Sequence, residues 1–132
     1  MKQLFTSLYS YYKSRPELVL AITDFYLGSA PAEAVFPYVV CKLVSSTMDH
    51  TYTEKFESYL IQFDIYEDSS SPKRSAELRD LMVQALDFWT GIIENYILIS
   101  TIREGTSMSQ WEVEGKKVWD VTLNYRILLQ HN

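Results

Sequence analysis

The chain has 132 residues and a formal net charge of −5. That length suits a single domain built on one core, and the acidic balance excludes the basic, phosphate-gripping surface of a duplex-binding domain. With 47% hydrophobic and 22% charged residues the composition is that of a folded protein rather than a disordered one, and a lone cysteine, Cys41, excludes an intramolecular disulfide.

Aromatic residues are abundant at 14%, ten of them tyrosines. A tyrosine joins an apolar body to a polar tip, which suits both sheets and contact surfaces. No apolar run approaches the ~20 residues that span a bilayer. The start, MKQLFTSLYSYYKSRPELV, has one early charge and hydroxyls among its apolar residues, a poor signal peptide. The expectation is a soluble, cytosolic chain.

In chain order, Leu4, Phe5, Leu8, Tyr9 and Tyr12 recur at three- and four-residue steps and predict an amphipathic helix over 2–13. Arg15-Pro16 interrupts it, and a second short helix starts at Pro16 and runs to about Leu20. Residues 22–27 read as a short strand and Gly28 to Pro31 as a turn cluster. A strand begins at Pro37; both of its faces are largely apolar, so it belongs in the middle of a sheet. Ser45 to Glu54 is polar and threonine-rich, either a long hairpin loop or projecting strand ends.

The next strand alternates Tyr59, Ile61, Phe63 and Ile65 against Ser58, Gln62 and Asp64, with Leu60 the exception, so one face is buried and one wet. The strongest helix follows. Ser71 is its N-cap and Pro72 its first residue; Leu78, Leu81, Met82, Ala85, Leu86 and Trp89 form its apolar stripe, and Gly91 is the expected stop. A fourth strand covers 95–104, and Arg103 to Gln110 is expected as a projecting loop. Glu114-Gly115 makes a turn into a final strand in which Trp119, Val121, Leu123, Tyr125, Ile127 and Leu129 share one face. The order is that of an α+β domain over residues 1–132: one antiparallel sheet with helices packed on one face.

Residues able to carry chemistry are few. His50, His131, Cys41 and Asp49 have no metal-ligand spacing. Cys41 lies between Val39 and Leu43 on a strand face, the setting of a buried, inert thiol. Asp64, Glu67 and Asp68 cluster at a strand end; a paired-carboxylate site is conceivable, but the plainer expectation is a solvated strand end. With four glycines and no phosphate-loop pattern there is no nucleotide cradle, and Lys73-Arg74 and Lys116-Lys117 read as solvent-facing charge pairs. No catalytic residue, cofactor or metal is assigned.

From VFPYVVCKLVSSTMDHTYTEKFESYLIQFDIYEDSSS through SAELRDLMVQALD, the chain resembles a family of small phage and prophage tail-completion proteins, the tail terminators. The recurring features are the Pro37 to Val40 strand, the Ser45 to Thr53 turn region, Phe63 to Tyr66, the break at Ser69 to Ser71, Leu86-Asp87, and the closing alternation of Val118 to Leu129. The resemblance implies a twisted antiparallel sheet covered by helices. It implies a non-enzymatic subunit of a ring, typically hexameric, at the head-proximal end of the tail tube. Such a ring stops tube polymerisation and joins the tail to the head through a head-completion or connector protein. Genome DNA passes through its lumen without specific binding. Tyr52, Phe56 and Trp111 are the candidate contact aromatics. Two other readings stay open: a head–tail connector or neck adaptor, and a small dimeric ligand-binding α+β protein with a pocket near Asp64 or Cys41.

Overall fold

The computed structural model describes residues 2–50 and 55–132. Eight elements follow in order: α1 (Lys2–Ser14), α2 (Pro16–Ala21), β1 (Asp24–Leu27), β2 (Tyr38–His50), β3 (Lys55–Glu67), α3 (Pro72–Leu86), β4 (Tyr96–Val113) and β5 (Lys116–His131). Helix α1 buries Leu4, Leu8 and Tyr12, one residue per turn of a single stripe. Arg15 takes the extended backbone that a following proline imposes, and Pro16 opens α2.

The sheet runs β1-β2-β3-β5-β4. The four long strands pair antiparallel, as expected, while the short edge strand β1 lies parallel to β2 and makes the sheet mixed. All three helices lie against one face. There Leu4, Leu8, Leu78 and Met82 meet Ile61, Phe63 and Ile65 of β3 and Val121, Leu123, Tyr125, Ile127 and Leu129 of β5. Phe63 and Tyr125 cross edge-to-face at 5.9 Å in the middle of this layer. Cys41 is fully buried in the same core.

Two expectations of element boundaries are corrected. Helix α3 has its Ser71 cap, which accepts from the Lys73 N–H at 3.3 Å, but it stops at Leu86 rather than at Gly91. Asp87 leaves helical geometry, and its carboxylate accepts from the Tyr125 hydroxyl at 2.6 Å and pairs with Arg103 at 3.2 Å. Phe88 then adopts a left-handed backbone (φ 57°), which turns the chain so that Trp89 re-enters the core from outside the helix. Gly91 has a different role: a Cβ there would overlap the Trp89 indole.

The second correction concerns Arg103 to Gln110. This segment is not a loop; β4 runs through it to Val113, interrupted by bulges at Ile99 and Glu104. Its Gly, Thr and Ser residues look loop-like because most of this stretch is exposed and packs under nothing; the ladder with β5 holds it. Over the described part of Ser45 to Glu54 the structure selects the strand-end reading, with β2 continuing to His50; residues 51–54 lie outside the described residues. The expected turn is present: Glu114 and Gly115 both have positive φ, 52° and 78°, and close a two-residue hairpin.

Candidate functional site

Among the described residues no helix lies on the other face of the sheet. Register places Tyr38, Val40 and Lys42 of β2, alternate residues of β3 from Phe56 to Tyr66, and even-numbered residues of β5 on this face. One end is aromatic. Tyr38 meets Tyr26, Phe36 and Tyr66 at centroid distances of 5.8, 5.2 and 5.2 Å. The Lys116 ammonium sits 5.3 Å over Phe36 and pairs with Asp68 at 2.8 Å, so the β4–β5 hairpin is tied to the loop before β2. Burial, with Asp120 and Asp64 nearby, pushes the Tyr66 phenol up to about 12.

The middle of the face is polar and dry. Asp64 is 2% exposed and Asp120 8%. Asp64 Oδ1 accepts from the Thr122 hydroxyl at 2.7 Å; its Oδ2 accepts from Gln62 at 2.8 Å and lies 3.4 Å from Lys42 Nζ. Burial first, then the neighbouring Asp64, lifts the Asp120 carboxyl to about 7. The expectation of a solvated acidic strand end is therefore wrong. Asp64 is shielded by the side chains of flanking strands. Glu67, also buried, points to the helix side and accepts the backbone N–H groups of Asp68 and Ser69 at 2.9 and 3.1 Å, with Arg74 3.9 Å away. The carboxylate that does sit beside Asp64 is Asp120, from the final strand. Its place on the polar side of that strand's alternation was the available signal; pairing across β3 and β5 could not be read without the register.

At the far end Arg126 grips Glu104 through two nitrogens at 2.9 and 3.3 Å and also reaches Ser58 at 3.1 Å. Beyond it a shallow recess is lined by Thr47, Phe56, Ser58 and Leu128. Of the candidate contact aromatics, Phe56 is half-buried in this recess. Trp111 is 59% exposed, lies opposite Val118 at the other end of the sheet, and donates to Ser109 at 3.2 Å. The two share the uncovered face but not a cluster. Tyr52 lies outside the described residues.

Both edges of the sheet carry open backbone. Strand β1 covers β2 only as far as Cys41, leaving its outer edge free from Lys42 onward, with Leu43, Val44 and Met48 exposed there. On the opposite side β4 is paired, among the described residues, only to β5, and Ile97, Ile99, Ile102 and Met108 are exposed along it, with Phe88 78% exposed nearby.

The remaining chemical candidates are structural. Burial pushes the Cys41 thiol up, away from nucleophilic use. His131 Nε2 lies 2.8 Å from Glu57 and against the Tyr96 ring. Among the described residues no group of His, Cys, Asp and Glu is placed to hold a metal ion, and no helix is long and apolar enough to cross a membrane. Arg74 and Lys116 are exposed, as expected of solvent-facing charges, and both also pair with acids.

The family model for tail completion protein gp17 matches residues 6–130. The chain belongs to this tail-completion family. No curated protein matches the sequence. Among solved structures, a chain from the virion of a native gene transfer agent particle superposes with a TM-score of 0.76 at 12% identity, over 95% of this chain and 92% of that one. A second solved structure gives 0.51 at 12% identity, over 96% and 91%. At such identities the likeness establishes the fold alone. The chain is thus a structural component of the phage tail and neck.

Proposed function

We propose that this chain closes the head-proximal end of a phage tail tube as a homo-oligomeric ring, a hexamer by the family resemblance. The ring stops tube polymerisation and presents the surface to which the head-completion or connector protein binds, and genome DNA passes through the lumen without specific recognition. The observation that carries this reading is the pair of unpaired sheet edges, β4 on one side and the distal half of β2 on the other, each lined by exposed apolar residues. Identical copies joined head-to-tail bring one kind of edge to the other. Such heterologous contacts close into a ring when the rotation per copy allows it, and added strands supply main-chain hydrogen bonds at each junction. Phe56, Trp111 and Tyr52 are proposed to contact the neighbouring copy or the tube.

Negative-stain imaging of the protein, alone and mixed with its tail-tube protein, tests this. The expected result is rings with a central hole, or tubes capped at one end and held to one length. A particle that leaves tube growth unchanged and binds portal-side proteins instead would replace this reading with that of a neck connector.

A further inference from the structure

The Asp64 and Asp120 carboxyls take no part in the edge contacts, and the hydrogen-bond inventory around them does not balance for two charges. Register pairs Asp64 with Thr122 and Tyr66 with Asp120, so the two aspartates are diagonal neighbours on adjacent strands with Thr122 between them. Thr122 has one hydroxyl proton. It is committed to Asp64 at 2.7 Å and lies 3.4 Å from Asp120 Oδ1. Gln62 and Lys42 both serve Asp64. Asp64 is therefore well supplied with donors, while Asp120, almost as deeply buried, has no strong donor of its own among the described residues. A buried carboxylate without donors is costly, and the group avoids the cost by keeping its proton.

Among the described residues the surrounding groups supply no cation besides Lys42. From β2 the pair is faced by Lys42, already on Asp64, and by the phenol of Tyr38; from β3 by Tyr66; across from β4 by Ser107 and Ser109; Tyr26 of β1 lies one ring further, against Tyr38. Phenols near two acids add no positive charge. We propose that Asp64 and Asp120 share a single proton in the folded protein at neutral pH, the Asp120 carboxyl donating to the Asp64 carboxylate, and that this pair is a pH-sensitive element of the uncovered face. Releasing that proton to solvent puts a second negative charge at the centre of the sheet, and it is taken up again on acidification.

The inference is independent of the ring. It is tested on the intact protein by carboxyl-carbon NMR of aspartate-labelled material, together with melting temperatures from about pH 5.5 to about pH 8.5. In the wild type one aspartate carboxyl titrates near neutrality, and the melting temperature falls as the pH rises through that point. In Asp120→Asn the neutral titration disappears and the fall flattens. Should that variant fail to fold, Asp64→Asn serves instead: with its neighbour's charge gone, the Asp120 titration moves from its wild-type position. If every aspartate in the wild type titrates below about pH 5, where unperturbed carboxyls lie, the proposal is overturned.

Discussion

Replacing Tyr125 with phenylalanine isolates the contact that ends α3 where it does. The ring of Tyr125 is fully buried and crosses Phe63; phenylalanine keeps that packing and removes only the hydroxyl that donates to Asp87 at 2.6 Å. A hydrogen bond to a charged acceptor contributes about 1.5–3 kcal/mol. Asp87 is 27% exposed and keeps Arg103 at 3.2 Å, so water and the guanidinium recover part of the loss. The expected cost is at the low end, about 1.5–2 kcal/mol, or a fall in Tm of roughly 5–8 °C. Denaturant unfolding should show the midpoint moving with an unchanged slope. A double-mutant cycle with Asp87→Ala should return a coupling of about 1 kcal/mol or more. A Tyr125→Phe protein as stable as wild type, with no coupling to Asp87, would refute the view that this contact draws the chain out of the helix.

Other positions make separate predictions. Gly91→Ala should destabilise by about 1–3 kcal/mol through collision with Trp89, with near-UV circular dichroism reporting the displaced indole. Ser75 is buried, and its hydroxyl has no hydrogen-bond partner among the described residues, so Ser75→Ala should be neutral or stabilising by up to about 1 kcal/mol in thermal melts. Ile102→Lys places a charge on the exposed flank of β4; its monomer should melt within about 0.5 kcal/mol of wild type while rings vanish from micrographs and from light scattering.

The strands and helices that bury one face announce themselves in sequence because burial imposes a period. Tyr59 to Ile65 and Val121 to Leu129 alternate because the helices cover every second residue, and α3 shows its cap and stripe for the same reason. What the period does not reach is less legible. The distal half of β4 reads as a loop because exposed positions there can be Gly, Ser or Thr without cost to the core. The parallel placement of β1 is set by a connection between two strands, not by residues within either. The true end of α3 depends on Tyr125 and Arg103, which meet Asp87 only after the sheet has formed. The Asp64–Asp120 pair escaped for the same reason: each residue sits in an ordinary alternation, and only the β3–β5 register makes them neighbours.

The bulges in β4 bear on how an open edge of this length can resist unspecific stacking. An uninterrupted edge of eighteen residues would offer a sliding template on which copies could stack in many alignments, the beginning of a fibre. Irregularities at Ile99 and Glu104 cut that edge into short regular runs of unequal length, Tyr96–Leu98, Ser100–Arg103 and Gly105–Val113. A visiting strand that slides out of step meets a kink, and only a partner shaped to the same breaks can zip along the whole length. In the ring proposed above, the defects in the ladder would serve as a key cut into the edge, trading indiscriminate stickiness for one permitted alignment.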